Sequence, residues 1–322
     1  GIRKGDLVIH AMDAFAGAVG VSDSSGKMSP VANIYEVKGD ARYFAYVLRT
    51  LATGGLIQSL AKGIRERSTS FDHSTLTSLD LPAPPSSTQR RIADFLDDRV
   101  ARIDQIITAR RAQVGLLKDA SARASYDMLR GSAIETRASG LPWLGPIPAH
   151  WAVLTVGMEF QVDLGKMLDE KRQTGAESIP YLRNTNVQWD RVDTHDLKTM
   201  DIPVSERSRF CVTPGDLLIC EGGQPGRAAM WTGDIAPLGF QKALHRARSR
   251  GRSRPEWLLE CLRVAAELNV FGLASGQTTI GHLTSEQLRA TRFPFPPPAE
   301  QDSAIDALTA RRQDLARPIK VQ

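Results

Sequence analysis

Planar side chains that can form two hydrogen bonds at once are grouped in three short polar stretches of the chain. These side chains, with one adjoining threonine, are Arg183, Asn184 and Asn186 in YLRNTNV, Gln224 and Arg227 in EGGQPGR, and Gln277 and Thr278 in SGQTT. Arginine matches the acceptor edge of guanine, and asparagine or glutamine matches adenine, so this chemistry suits the reading of nucleic-acid bases. Turn formation is the alternative, because Asn, Gly and Thr are also common in turns for purely local reasons. For each single residue both interpretations stay open.

A strongly basic segment, KALHRARSRGRSR, covers residues 242–254 and contains six Lys or Arg and no acid. One interpretation is a phosphate clamp, which would make binding strongly dependent on salt. Its candidate contacts are Lys242, Arg246 and Arg248. We expect loss of Arg250 to weaken binding to all sequences alike, whereas loss of Arg183 should change the preferred base. A solvated loop is the alternative, and strand alternation predicts that these side chains do not all share one face.

The residues that could perform catalysis do not form a recognised motif. The sequence has no G-x-x-x-x-G-K-[ST] phosphate loop, no G-x-G-x-x-G and no HExxH. Its three cysteines, at 211, 220 and 261, have no C-x-x-C spacing, which argues against a zinc site. Asp6 and Asp216 each follow a glycine directly before an apolar run, which favours a role in a turn. We therefore predict no catalytic residue, no metal and no cofactor.

The elements that must position these residues occur twice along the chain. The matched stretches are GDLVI at 5–9 with GDLLI at 215–219, LAKG at 60–63 with LASG at 273–276, and the proline clusters that precede Gln89 and Gln301. Their order is kept and the offset stays near 212 residues, the separation of Gln89 and Gln301. This pattern predicts an internal repeat of about 212 residues.

Each repeat has the pattern of a mixed domain followed by a long helix. Short apolar runs bounded by Gly and Pro, among them LVIH, ANIYEV, YLRNTNV and LLIC, predict strands. ARYFAYVLRTLA and PEWLLECLRVAAELNVF have the three- and four-residue apolar spacing of helices. The predicted fold class is therefore α+β (mixed α/β), with long helices joining the domains.

The segment that follows the first proline cluster predicts one helix from Ser86 to about Arg130, roughly 70 Å long. Ser86 and Gln89 predict a capping box at its start. Apolar residues at alternating steps of four and three indicate a coiled-coil seam. The seam residues are Ile103, Ile107, Val114, Leu117 and Met128. The expected partner is the helix of the second repeat, folded back antiparallel; the alternative is a break near Gly115 or packing on a globular core.

The composition is that of a soluble globular protein with room for about two domains. The chain has 322 residues, of which 42% are hydrophobic and 24% are charged. It has no apolar run of the roughly 18 residues that cross a bilayer, and no basic-then-apolar leader, so we expect a cytoplasmic protein. The net charge of +5 permits a polyanionic partner without requiring one.

At this point the motifs resemble a known family. PPSSTQRRIADFLDDRVARIDQII is similar to the conserved spacer of type I restriction-modification specificity subunits, with Thr88 in place of the usual Glu before Gln89. Glu300-Gln301 keeps the family's pair, and GLPWLGPIPAHWAV at 140–153 resembles the segment that opens each target-recognition domain. The GDL motifs and GQTTI at 276–280 also fit. The resemblance covers essentially the whole chain.

The resemblance implies a division of the chain into four parts. They are 1–84, the back half of a first target-recognition domain; 85–135, the proximal conserved long helix; 136–297, a second target-recognition domain; and 298–322, the start of the distal conserved helix. On this mapping the front of the first domain and the end of the distal helix are absent. We therefore expect the sequence to be a fragment of a longer specificity subunit.

The resemblance also implies a function. Such subunits are non-catalytic parts of a host-defence enzyme: each target-recognition domain reads half of a bipartite site in double-stranded DNA. The paired helices form an antiparallel coiled-coil spacer that docks two methyltransferase (modification) subunits and, indirectly, the restriction subunit. No membrane is involved. The alternative is a coiled-coil interaction protein or truncated half-subunit that pairs with another specificity subunit, or with itself through the exposed helix, without reading DNA.

Overall fold

The computed structural model describes residues 1–60, 71–168, 174–275 and 281–316 of the chain. The chain divides into two compact units, unit 1 (Gly1–Ala112) and unit 2 (Gln113–Gln322). Within the described ranges, no helix is both long enough and apolar enough to cross a membrane. The predicted mixed α/β fold class is confirmed.

The described part of unit 1 contains a three-stranded antiparallel sheet, three α-helices and the first part of a long fourth α-helix. The elements are β1 (Leu7–His10), β2 (Val19–Val21), β3 (Ala32–Tyr35), α1 (Ala41–Thr53), α2 (Leu56–Leu60), α3 (His73–Thr77) and α4 (Ser86–Arg130). The strand order is β2-β1-β3. Leu7 and Ile9 of the central strand are buried in one cluster with Leu48 and Ala52 of α1. Helix α1 therefore covers one face of this small sheet.

Unit 2 is larger and contains thirteen described strands and six described helices besides the end of α4. The strands are β4 (Thr136–Ala138), β5 (Pro146–Pro148), β6 (Ala152–Thr155), β7 (Phe160–Leu164), β8 (Ser178–Leu182), β9 (Val187–Gln188), β10 (Arg191–Val192), β11 (Lys198–Asp201), β12 (Leu217–Cys220), β13 (Ala228–Met230), β14 (Gly239–Phe240), β15 (Leu244–Ser249) and β16 (Arg292–Phe295). The helices are α5 (Val156–Glu159), α6 (Arg207–Phe210), α7 (Pro255–Glu267), α8 (Val270–Ser275), α9 (Ser285–Ala290) and α10 (Pro298–Ala316).

Two sheets form the framework of unit 2. The first is antiparallel with the order β13-β12-β15-β7, and the second has the order β11-β8-β14. Successive strand residues point to opposite faces. Leu217 and Ile219 of β12 accordingly join the core beneath α7, which includes Trp257, while Leu218 and Cys220 join a second core on the other side. The central strand β12 is therefore buried on both faces.

The turn before the central strand has the same geometry in both units. Gly5 and Gly215 have φ of 98° and 94°, a conformation that glycine adopts without strain. In unit 1 the carboxylate of Asp6 accepts the backbone N–H of Arg3 at 2.7 Å. In unit 2 the carboxylate of Asp216 accepts the backbone N–H of Thr213, also at 2.7 Å. Both aspartates thus hold a turn, the role that their position after glycine predicts.

Gln89 joins the start of α4 to the start of α1. Its amide oxygen accepts the backbone N–H of Asp40 at 3.0 Å, and its amide nitrogen donates to the carbonyl of Pro84 at 2.8 Å. Gly39 leaves room for this amide, since a Cβ at position 39 would lie 2.4 Å from the Gln89 oxygen. The predicted capping box between Ser86 and Gln89 is wrong, because both ends of the amide are already used in these long-range bonds.

Gln301 makes the corresponding bonds in unit 2, at the start of α10. Its amide oxygen accepts the backbone N–H of Arg254 at 2.8 Å, and its nitrogen donates to the carbonyl of Pro296 at 2.8 Å. The nitrogen also lies 3.3 Å from the hydroxyl of Ser253. Gln301 is completely buried. The start of the final helix is thereby fixed to the turn that precedes α7.

The predicted long helix is confirmed. Helix α4 runs without interruption for 45 residues, about 67 Å, and Gly115 does not break it. Three predicted seam residues, Ile103, Ile107 and Val114, are exposed. Leu117 is partly buried, and Met128 packs against the main core of unit 2. The coiled-coil seam itself remains a prediction.

Helix α10 packs antiparallel against the last part of α4 in unit 2. Its early residue Ala304 lies beside Met128, whereas its later residue Arg312 donates to the hydroxyls of Ser121 and Ser125. Residue numbers therefore rise along one helix as they fall along the other. Arg312 also forms an ion pair with buried Glu260 of α7 at 2.7 Å. This pairing satisfies a carboxylate that would otherwise be costly to bury.

Replacement of Gln301 by alanine should lower the free energy of unfolding of the chain by about 1–3 kcal/mol, because the Arg254 N–H and the Pro296 carbonyl lose a buried partner. Gln313, which lies exposed on the same helix, offers a matched control. Urea unfolding of both variants measures the difference. Equal stability of Gln301→Ala and Gln313→Ala would show that the Gln301 bonds contribute nothing to the fold.

Candidate nucleic-acid interface

Five strand ends of unit 2 meet at one edge of its two sheets. In the first sheet, Cys220 at the end of β12 pairs with Leu244 at the start of β15, and Leu164 at the end of β7 pairs with His245. In the second sheet, β8 and β14 run parallel and end together at Leu182 and Phe240. The loops that leave these strands form one surface. We call it the loop edge; it consists of residues 165–167, 183–186, 221–227 and 241–243.

Backbone hydrogen bonds join the two sheets at the loop edge. The N–H of Gln241 donates to the Leu182 carbonyl at 3.0 Å, and the N–H of Lys166 donates to the Phe240 carbonyl at 2.9 Å. Gly165 permits this close approach, because a Cβ at that position would lie 2.3 Å from the Gln241 carbonyl oxygen. The polar stretches identified in the sequence around residues 183 and 224 are therefore brought together with the start of the basic run.

Asn184 and Arg227 clamp the loops of this edge to one another. The amide nitrogen of Asn184 donates to the carbonyl of Gly222 at 3.0 Å. The guanidinium of Arg227 donates to the amide oxygen of Asn184 at 2.8 Å and to its backbone carbonyl at 3.1 Å. Both ends of the Asn184 amide are engaged within the protein. This geometry favours a positioning role for Asn184 over direct contact with a base.

Arg183 and Asn186 hold the turn that precedes β11. The buried amide of Asn186 accepts the backbone N–H of Arg183 at 2.9 Å and donates to the Asp193 carbonyl at 2.9 Å. The guanidinium of Arg183 donates to the carbonyl and the carboxylate of Asp196, both at 2.7 Å. The bond from Arg183, together with the charge of nearby Lys198, lowers the pKa of Asp196. Asp196 is therefore a carboxylate at neutral pH.

Two predicted contact residues are exposed on the loop edge. Gln224 lies exposed in the glycine-containing turn after β12. Lys242 is exposed between β14 and β15, and its ammonium group contacts the sulfur of Met167 at 3.8 Å. Neither position requires a structural change for its polar group to meet a ligand. Lys166 and Gln241 also belong to this edge; the sequence analysis did not include either, because the backbone bonds that bring them here join residues far apart in the chain.

The basic run of residues 242–254 contains strand β15, so some of its side chains are buried and others are exposed. Arg246 is buried: its guanidinium forms an ion pair with Asp163 at 2.7 Å and a hydrogen bond with the carbonyl of Cys211. Arg248 forms a two-pronged pair with Asp216, with both distances 2.7 Å. Binding of DNA by either arginine would require these bonds to break. Placement of the two arginines argues against their predicted use as phosphate contacts.

Arg250 follows the far end of β15. From the loop edge at Leu244 to Arg250 the strand extends about 20 Å. The run 242–254 therefore does not form a single clamp, since one exposed end lies at the loop edge and the other at the opposite end of the sheet. The position of Arg250 argues against a phosphate clamp that it shares with Lys242, which is the exposed cation of the run at the loop edge.

Gln277 and Thr278 lie outside the described residues. The segment that follows them is attached to the loop edge, since the N–H of Leu283 donates to the Glu221 carbonyl at 2.7 Å. The imidazole of buried His245 bonds to the Leu283 carbonyl at 2.8 Å. Unit 1 has the matching pair, in which Asn33 donates to the Phe71 carbonyl at 3.3 Å.

In the described part of the chain, no group of His, Cys, Asp and Glu side chains could hold a metal ion.

The chain is similar to known proteins both in sequence and in fold. The sequence is 22% identical, over 279 residues, to the putative type I restriction enzyme MjaX specificity subunit of Methanocaldococcus jannaschii; the match covers 83% of this chain. The matched part spans 60% of that relative's length. A chain from a structure on complex assembly and conformational transition of the type I restriction-modification system superposes with a TM-score of 0.70 at 17% identity, covering 98% of this chain and 76% of that one.

The chain has the fold of type I restriction specificity subunits. The HsdS subunit from Thermoanaerobacter tengcongensis also superposes, with a TM-score of 0.52 at 18% identity, covering 98% of this chain and 75% of that one. No protein-family model matches the sequence. The resemblance to this family that the sequence motifs indicate is confirmed by the curated relative and by the shared fold.

The structure predicts a pH effect at His245. Burial lowers the pKa of this imidazole, although the Leu283 hydrogen bond and the Glu221 carboxylate oppose the change. The folded chain therefore takes up this proton at lower pH than the unfolded chain, whose ordinary histidine pKa is about 6.5. Stability should fall as the pH decreases from above that value towards the folded pKa.

His245→Asn removes the titrating group and introduces the residue type that unit 1 has at the equivalent strand position, Asn33. The wild-type chain should lose more stability between pH 7.5 and pH 5.5 than the variant does. Urea unfolding at the two pH values measures this difference. Identical losses for the two proteins would contradict the role of His245 in the pH dependence.

Proposed function

We propose that the chain is a DNA-specificity subunit, or part of one, of a type I restriction-modification system, and that it performs no catalysis. The loop edge of unit 2 supplies the observation that carries the proposal. It collects Arg183, Gln224 and Lys242 at the ends of rigid strands, and these are the residue types that contact base edges and phosphates. Sequence similarity and fold add independent support.

In this proposal the residues of the loop edge have different tasks. Arg183 and Gln224 read base edges in the major groove, and Lys242 contacts phosphate. Asn184 and Arg227 position the loops through the bonds that join them. The target-recognition domain of residues 136–297 and the partial one of residues 1–84 would each read half of a bipartite site. The predicted cytoplasmic location fits this role.

Helix α4 is the proposed spacer and docking element for modification subunits. Five of its large apolar side chains are more than half exposed: Phe95, Ile103, Ile106, Val114 and Leu116. Large exposed apolar side chains are typical of sites of protein association when they lie together. The same observation supports the second candidate, an interaction protein that pairs through α4 with another specificity subunit or with itself and does not read DNA.

Selection of bound duplexes from a random library by the purified chain tests the proposed function directly. We expect enrichment of one short half-site. Retention that depends on salt but enriches no sequence would contradict DNA reading. If the chain also associated with itself in sedimentation experiments, that result would favour the interaction protein.

Three alanine variants then test the division of tasks. Arg183→Ala should relax the preference at one base position, a loss of about 1–3 kcal/mol of discrimination. Lys242→Ala should weaken binding to every duplex and reduce the slope of log affinity against log salt by about 1. Arg250→Ala is the matched control, because it removes an exposed positive charge about 20 Å from the loop edge. Arg250→Ala and Lys242→Ala with the same salt slope would overturn the assignment.

A further inference from the structure

Two basic side chains of the loop edge are already held by acidic residues of the protein. Lys166 forms an ion pair with Glu206, and Arg183 forms one with Asp196. The Arg183 side chain is one quarter exposed, whereas the Asp196 side chain is 72% exposed. Any ligand that approaches Arg183 from solvent therefore meets a carboxylate beside the guanidinium.

The position of Asp196 is fixed by the buried amide of Asn186. That amide donates to the Asp193 carbonyl, and the Asp193 N–H donates back to the Asn186 carbonyl at 2.7 Å. The Asp193 carboxylate in turn accepts the N–H of His195 at 3.0 Å. The turn thus presents both the carbonyl and the carboxylate of Asp196 to one guanidinium nitrogen, Nη2, of Arg183. The pair is a preformed feature of the loop edge.

The energetics of this pair allow it to be exchanged for a ligand. The Asp196 side chain of this ion pair is largely exposed to solvent, which weakens the pair, so a good alternative partner can replace Asp196. A guanine base offers two acceptors with the spacing of the arginine fork and carries no net charge. A phosphate group also offers acceptors, but its negative charge is repelled by the Asp196 carboxylate. The carboxylate therefore weakens the binding of Arg183 to phosphate more than its binding to guanine.

We propose that Asp196 is a specificity-determining residue, which competes with DNA for Arg183 and suppresses its binding to phosphate more than its binding to guanine. This inference rests on the proposed function, because it concerns the same loop edge. Asp196 repels phosphate next to the Arg183 guanidinium, which attracts it. Discrimination between ligands commonly uses both attraction and repulsion. Nothing in the sequence around Asp196 indicates this role.

Asp196→Asn is the test, since asparagine keeps the size of the side chain and an acceptor oxygen but removes the charge. Affinity is measured for the half-site selected by the wild-type chain and for an unrelated duplex, at low salt. We expect binding to the unrelated duplex to tighten about fivefold and binding to the half-site to tighten less, so the ratio of the two affinities falls. Asp234→Asn, in the segment that leaves the opposite end of β13, makes the same charge change as a control.

A double-mutant cycle with Arg183→Ala distinguishes competition from a general effect of charge. If Asp196 acts through Arg183, Asp196→Asn should no longer alter the affinity ratio when Arg183 is absent. Equal tightening on both duplexes, or an unchanged effect in the Arg183→Ala background, would overturn the inference. A wild-type chain that prefers no sequence would instead refute the proposed function, so the two failures are distinguishable.

Discussion

In each unit of this chain, the side-chain amide of a buried glutamine connects the start of the last helix to the part of the unit that contains the sheet. In unit 2, Gln301 bonds to the N–H of Arg254 before α7 and to the carbonyl of Pro296 after β16. This amide adds a direct polar link between the start of α10 and the turn before α7, alongside the ion pair of Arg254 with Asp302. Gln89 makes the same bonds in unit 1. Each amide therefore helps to fix the start of its helix relative to the sheet of the same unit.

Two arginines in the middle of the basic run are used in ion pairs inside unit 2. A buried charge is tolerated only when it is paired and hydrogen-bonded. Arg246 accordingly pairs with Asp163, and Arg248 pairs with Asp216, the aspartate that also holds the turn before β12. Only the ends of the run stay exposed. These two pairs, together with the length of β15, explain why a segment with six basic residues contributes a single cation, Lys242, to the loop edge.

The loop edge combines a rigid framework with a few accessible groups. Asn184, Asn186 and Arg227 are engaged in bonds that hold neighbouring loops, so the accessible groups are presented in fixed positions. Such preorganisation reduces the conformational entropy lost on binding. In the proposed function, competition between Asp196 and DNA for Arg183 would add a means of discrimination that needs no further contact with the ligand.

The sequence by itself determined the elements and their order. Apolar spacing predicted β1, β12, α1 and α7, and an imperfect heptad-like pattern predicted the long helix α4. These features depend on neighbours in the sequence, so local periodicity is sufficient to find them. The glycine-aspartate turns before the central strands belong to the same class, because their hydrogen bonds join residues only three positions apart.

The tertiary structure alone decided which polar residues remain available. Arg246 is separated from Asp163 by 83 residues, and Gln89 from Asp40 by 49, so no local pattern predicts either pair. Alternation along a strand assigns side chains to two faces, but it does not reveal that both faces of β15 are covered at Arg246. Pairing across the sheets settled that question, because a charge enclosed by strands must find its partner in space and not along the chain.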